Sequence, residues 1–181
     1  LAISGGYQFD DVISALGSSV SIPGRFERVY NQGNNFEVFV DYSHTPDALK
    51  RAIEVLKPLA NKVIVVFGCG GDRDVAKRPI MGKLASELAD LVIVTNDNPR
   101  NEDPQKIIND IFSDIGLENQ SHVIAMTDRY KAIEYAISKA GEGDCVLIAG
   151  KGHETYQQFK DRTEDFSDLK VAEEILTENK K

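Results

Sequence analysis

The 181-residue sequence is short of positive charge, has few cysteines and contains no long apolar run, and each shortage closes off a class of function. Lys and Arg number 21 against 29 Asp and Glu, giving a net charge of -8. Such a surface repels a phosphate polymer, so nucleic acid is not an expected partner. No apolar stretch approaches the roughly 20 residues that span a bilayer, so membrane insertion is not expected either. Cys69 and Cys145 are the only cysteines, and each adjoins an apolar run. That setting suits reduced thiols buried near a sheet, and the expected compartment is the cytoplasm. The chain opens on Leu1 with neither Met nor a signal-peptide pattern, which reads as a start cut from a longer polypeptide.

Several catalytic signatures are missing as well. Gly68-Cys69-Gly70-Gly71 follows an apolar run, but Arg73 stands where a dinucleotide fingerprint needs its third glycine. Gly150-Lys151 resembles the end of a phosphate-binding loop, yet position 145 is Cys and position 152 is Gly, so no P-loop is present. His44, His122 and His153 have no metal-ligand spacing, and no metal site is assigned. Ser43 and His44 are adjacent, which is poor geometry for a nucleophile and its base, and there is no nucleophile elbow.

What the chain does contain is a repeated unit: a β-branched run, a polar Gly- or Pro-marked loop, then an apolar stripe at helical spacing. The runs are Phe36–Val40, Val63–Phe67, Leu91–Thr95, His122–Met126 and Cys145–Ala149. Three of them are nearly continuous in apolar residues, as strands covered on both faces must be, which predicts a parallel sheet. Leu49, Ala52, Ile53 and Leu56 share one helical face, and so do Ile107, Ile108, Ile111, Phe112 and Ile115. Thr45 before Pro46 and Asp103 before Pro104 are N-cap signals with proline in the first turn. The predicted fold is α/β: a Rossmann-like, doubly wound, mostly parallel sheet of about six strands with helices on both faces. A further strand is expected near Phe26–Tyr30 and a last helix from about Asp168. Residues 1–22 read as the end of a preceding domain and its linker, and residues 23–181 as the domain itself.

In open α/β sheets, ligands bind beyond the carboxyl ends of the strands. The unusual residues collect there: Asp41-Tyr42-Ser43-His44, Gly68 to Asp74, Asn96-Asp97-Asn98-Pro99-Arg100, and Gly150-Lys151-Gly152-His153-Glu154. These loops bring arginines, carboxylates, histidines and glycines to one edge. A guanidinium holds a carboxylate through two parallel hydrogen bonds, so Arg73 and Arg100 with Glu154 could read both charges of a zwitterion. An amino acid would satisfy that set.

These same stretches, with Pro23-Gly24-Arg25-Phe26-Glu27 and Lys77-Arg78-Pro79, make the sequence resemble the C-terminal domain of the Mur ligases, in particular the MurE type of peptidoglycan synthesis. The likeness runs through nearly the whole chain in order. It implies an ATP- and Mg2+-dependent amide ligase in which a substrate carboxylate becomes an acyl phosphate that the incoming amine attacks. It implies that Arg73, Asp97, Asn98, Pro99, Arg100, Gly150 and Glu154 bind the amino acid. Arg25, Asp41 and His44 are expected to face ATP once the domains close. The Asp97-Asn98-Pro99-Arg100 quartet is the form associated with meso-diaminopimelate, whereas lysine-adding relatives usually lack the final arginine.

By the same resemblance the other substrate is UDP-MurNAc-dipeptide, UDP-MurNAc-L-Ala-D-Glu, and the N-terminal and central domains of the parent chain complete the enzyme. The P-loop and the magnesium ligands are absent from these residues, which alone are expected to have no ligase activity. Two other readings stay open on sequence: a lysine-adding ligase, and a non-catalytic amino-acid or nucleotide-binding module. An NAD-linked domain is a further rival that dinucleotide titration would test.

Overall fold

Val63–Phe67 and Cys145–Ala149 are buried at every position, and they lie side by side in the middle of the sheet. A computed structural model describes residues 22–31 and 33–178. The expected end of a preceding domain, residues 1–22, falls outside these apart from Ile22. The principal sheet has six strands: β1 (Glu27–Arg28), β2 (Glu37–Asp41), β3 (Val63–Phe67), β4 (Leu91–Val94), β5 (Val123–Ala125) and β6 (Cys145–Ala149). Their order is β1-β2-β6-β3-β4-β5; β1 is antiparallel to β2 and every other pairing is parallel.

The described residues form five α-helices: α1 (Pro46–Leu56), α2 (Lys77–Leu88), α3 (Pro104–Phe112), α4 (Arg129–Lys139) and α5 (Asp168–Glu178). The caps act as the sequence indicates. Thr45 Oγ1 accepts from Ala48 N–H and Asp103 from Gln105 N–H, each satisfying a free donor of the first turn. Asp128 caps α4 in the same way, through Lys131 N–H.

The alternation of buried side chains on the strands divides the core in two. Val63, Val65, Phe67, Leu147 and Ala149 face α1, α2 and α3, whereas Ile64, Val66, Val146 and Ile148 face α4 and α5. Right-handed crossovers require this division. The chain moves one way along the sheet from β2 to β5 with its helices on one face. It then doubles back to β6, inserted between β2 and β3, with α4 on the other. Each fully buried Val, Leu or Ile contributes on the order of 1.5–3 kcal/mol relative to exposure, so both layers are needed.

Several details differ from the sequence reading: the run at 36–40 shifts to Glu37–Asp41, and that at 91–95 ends at Val94. The run at 122–126 shortens to Val123–Ala125 because Gln120–His122 forms a single 3₁₀ turn, with His122 Nε2 2.8 Å from Ser86 O. The strand near Phe26–Tyr30 pairs only over Glu27–Arg28. The fifth unit does not pass from strand to helix: a polar hairpin, β7 (Tyr156–Gln158) and β8 (Thr163–Asp165), stands between β6 and α5.

Candidate functional site

Because β6 sits between β2 and β3, the loops on either side of it leave toward opposite faces, and a crevice opens at its carboxyl end. A cleft of about 370 Å³ lies there. It is lined by Arg73, Asp97, Asn98, Arg100, Gly150, Glu154 and His44, together with Tyr42, Lys77, Tyr156 and the glycines 68 and 70. The sequence-derived residues Arg73, Arg100 and Glu154 therefore share one cavity. Pro99 lies on the far side of its loop, where it lines a separate depression with Phe159 and Arg162.

Arg100 is held by its own backbone. It has φ 52, a conformation that costs a non-glycine residue energy and that surrounding contacts must impose. Its N–H donates to Gln158 O at 3.0 Å, so the β7–β8 hairpin clamps it. Its Nη1 donates to Gly71 O at 2.8 Å, and among the described residues Nε and Nη2 have no partner. One edge of the guanidinium is thus anchored while other donors stay available for a carboxylate. Gly71 makes this approach possible: a Cβ there would lie 1.9 Å from Pro99 O.

A second arginine ties the loops together from below. Arg78 on α2 has no exposed side-chain surface and donates to both oxygens of Glu102, to Asp110 and to Gly70 O. Glu102 also accepts from Asp72 N–H at 2.6 Å, so the loop carrying Arg73 is fastened to the loop carrying Arg100. The Arg78 hydrogen bonds outweigh desolvation and hold the Glu102 carboxyl down at about 2.

Asn98 and Glu154 meet on the cleft floor, where Asn98 Nδ2 donates to Glu154 Oε2 at 2.8 Å. Lys151, with 0% of its side chain exposed, donates to the same oxygen and to Asn98 Oδ1, both at 3.2 Å. Asp97 stands beside Gly150, whose backbone has φ 113, a conformation open to glycine; a Cβ there would lie 3.0 Å from Asp97 Oδ2.

The residues expected at ATP are arranged differently from one another. Arg25 is exposed, with its guanidinium 4.8 Å from the centre of the Tyr42 ring. His44 packs edge-on to the same ring at 4.5 Å. Asp41 does not line the cleft. It is buried, accepts from Phe26 N–H at 2.8 Å through Oδ2 and from the Ser43 hydroxyl through Oδ1, so both oxygens are engaged within the chain. The turn before β1 is seated equally firmly: Gly24, at φ 67, packs on the Gly152–His153 backbone so closely that a Cβ would be 2.1 Å from His153 N.

With this geometry established, comparison with known proteins is decisive. The family model for the Mur ligase glutamate ligase domain matches residues 24–152. The chain belongs to the Mur ligase family. It is 53% identical over 166 residues to the UDP-N-acetylmuramoyl-L-alanyl-D-glutamate--2,6-diaminopimelate ligase of Solibacter usitatus, covering 91% of this chain and 33% of that protein. It is 46% identical over 177 residues to the ligase of the same name from Geobacillus kaustophilus, covering 97% of this chain and 36% of that one. A solved structure of a ligase so named superposes with a TM-score of 0.80 at 36% identity, over 99% of this chain and 37% of the other. The chain thus spans about a third of the length of the curated relatives it matches.

Within this Mur ligase fold, three cleft-lining side chains had no role assigned from sequence, Lys77, Tyr42 and Tyr156, nor had Lys151, buried beneath the cleft floor. Lys77 Nζ donates to His44 O at 2.6 Å, joining α2 to the loop after β2. For Lys151 a signal existed, since a lysine between two glycines directly after a fully buried strand has little room to reach solvent.

Proposed function

We propose that residues 23–181 form the C-terminal, amino-acid-binding domain of an ATP-dependent ligase that joins meso-diaminopimelate to UDP-N-acetylmuramoyl-L-alanyl-D-glutamate. The observation that carries this reading is the shared cleft of Arg73, Arg100, Asn98 and Glu154. A carbon bearing both a carboxylate and an ammonium finds guanidinium donors on one side and a carboxylate acceptor on the other. Diaminopimelate offers two such carbons. Held by one, it keeps the amine of the other for amide formation. Lysine lacks the second carboxylate and leaves Arg100 unpaired in a partly desolvated site, a penalty that favours the diacid.

ATP supplies the phosphoryl group that activates the substrate carboxylate. In this chain Arg25 and His44, gathered around Tyr42 at the cleft rim, suit phosphate oxygens, and Asp41 serves them by fixing Phe26 and Ser43 on either side. Among the described residues no three His, Cys, Asp or Glu side chains gather closely enough to hold a metal ion. The Mg2+ that the resemblance implies is assigned to the central domain. No helix among the described residues is long and apolar enough to cross a membrane. The nucleotide-linked substrate and the free thiols of Cys69 and Cys145 favour the cytoplasm.

The test is amide formation by the full-length protein with ATP, Mg2+ and UDP-MurNAc-L-Ala-D-Glu, comparing meso-diaminopimelate with L-lysine. A preference for the diacid of roughly 10²-fold or more in kcat/KM is expected. Equal use of lysine would remove the substrate assignment, and no nucleotide-dependent product with either would remove the ligase reading.

A further inference from the structure

Lys151 is an anomaly beneath the cleft floor. Its side chain is wholly buried, although lysine is among the residues least often found so, and it lies beneath the carboxylate that the proposed function gives to a ligand ammonium. A buried ammonium requires partners on every side. Lys151 has Asn98 Oδ1 and Glu154 Oε2, each at 3.2 Å, and the Tyr156 ring, whose centre is 5.4 Å from Nζ. A cation against an aromatic face completes the shell. With no exposed surface, Lys151 cannot itself receive a ligand carboxylate.

Its partners show what it does instead. Asn98 Oδ1 accepts from Lys151 and from Gln158 N–H at 2.9 Å, which orients the amide and sends Nδ2 to Glu154. Both donors to Glu154 then fall on one oxygen, Oε2. Among the described residues Oε1 accepts no hydrogen bond, and a carboxylate saturated at one oxygen has one direction left in which to bind a cation.

We propose that Lys151 is a positioning residue for the amino-acid site: it pins Oε2 of Glu154 against Asn98 and so presents Oε1 to the ligand ammonium. The inference rests on the reading of the cleft as the diaminopimelate site. Lys151 sets the geometry of Asn98 and Glu154 and acts on the ligand only through them, without touching it.

The experiment is steady-state kinetics of the full-length enzyme with the Lys151→Met, Glu154→Gln and double variants. Lys151→Met keeps the length of the stem and removes the charge. It is expected to raise KM for meso-diaminopimelate roughly 10- to 100-fold, the effect of losing an oriented charge-assisted contact. The KM values for ATP and UDP-MurNAc-dipeptide should stay unchanged and kcat should fall less than about threefold, the pattern of lost ligand binding. In the Glu154→Gln background, Lys151→Met should add little, because the two act as one unit. If Lys151→Met does not fold, Lys151→Gln replaces it with the same expectations.

An unchanged KM for diaminopimelate overturns the proposal. So do additive effects in the double variant, or a uniform rise in all three KM values with a lowered melting temperature, which marks a merely structural lysine. A wild-type enzyme without diaminopimelate-dependent turnover sinks the functional reading and this inference with it. Normal wild-type turnover with an unaffected variant sinks the inference alone.

Discussion

Arg129 and Asp168 form a two-pronged ion pair with no exposed surface on either side chain, Nε and Nη2 of the arginine lying 2.8 and 2.7 Å from the two carboxylate oxygens. The same guanidinium donates to Asn96 O and Ala149 O, each at 3.1 Å. It therefore joins the starts of α4 and α5 to the carboxyl ends of β4 and β6, directly under the cleft. Burial works against this charge, and the Asp168 carboxylate more than offsets it, so the guanidinium pKa stays above its ordinary value.

Removing one member strands the other. Asp168→Asn is expected to destabilise the protein by about 3–5 kcal/mol, the usual cost of an uncompensated buried charge. The paired replacement Arg129→Met with Asp168→Leu should recover most of the loss. Denaturant titration of the wild type and the two variants checks both statements.

Arg100 should act on selection more than on speed. Arg100→Ala is expected to narrow the preference for meso-diaminopimelate over lysine by about 10-fold or more while lowering kcat at saturating diaminopimelate much less, since the proposed function has Arg100 pair with the second carboxylate of the ligand. Competition assays on the full-length enzyme would read this, and an unchanged preference would show that Arg100 does not sense the second carboxylate.

The Arg78–Glu102 pair gives a pH signature. Glu102 ordinarily titrates at 4.5 and is held at about 2 in the fold. Its folded value is the lower one, so the stabilisation is complete above the unfolded value and disappears as the pH falls through the folded value. Asp110, lowered chiefly by Lys106 and then by Arg78, works in the same direction. The stability gap between wild type and Glu102→Gln should therefore be constant at neutral pH and shrink between about pH 4.5 and pH 2. Thermal melts across that range would show it; a gap that widens on acidification contradicts the assignment.

Neither thiol should react in the native state. Burial pushes Cys69 up to about 12 and raises Cys145 as well, so neither presents thiolate at neutral pH. A thiol reagent such as DTNB is expected to titrate both only after denaturation. Fast labelling of the folded protein would mean that the sheet opens locally.

Much of the fold was legible in the sequence because its central strands are covered on both faces and so appear as unbroken apolar runs, while Thr45-Pro46 and Asp103-Pro104 mark helix starts by capping chemistry. The insertion of β6 between β2 and β3 was not legible, since strand order depends on pairings remote in sequence. The β7–β8 hairpin was hidden for a different reason. Thr163–Asp165 is exposed at every position and carries no alternation of apolar residues. Yet that hairpin clamps Arg100 and supplies Gln158 to Asn98. Loop position and charge pointed to Arg73, Arg100 and Glu154, which share the cleft, but not to Lys77, Tyr42 or Tyr156; the hydrogen bonds that orient these residues, including those of Lys151 and the inward commitments of Asp41, arise only when distant segments meet.

The glycine-on-glycine seat of residue 24 against residue 152 leaves room for no side chain at that point of contact. The strand-leading turn rests directly on the peptide two residues before Glu154, with no slack between them. A methyl group at position 24 would therefore pry the turn that carries Arg25 away from the loop that carries Glu154.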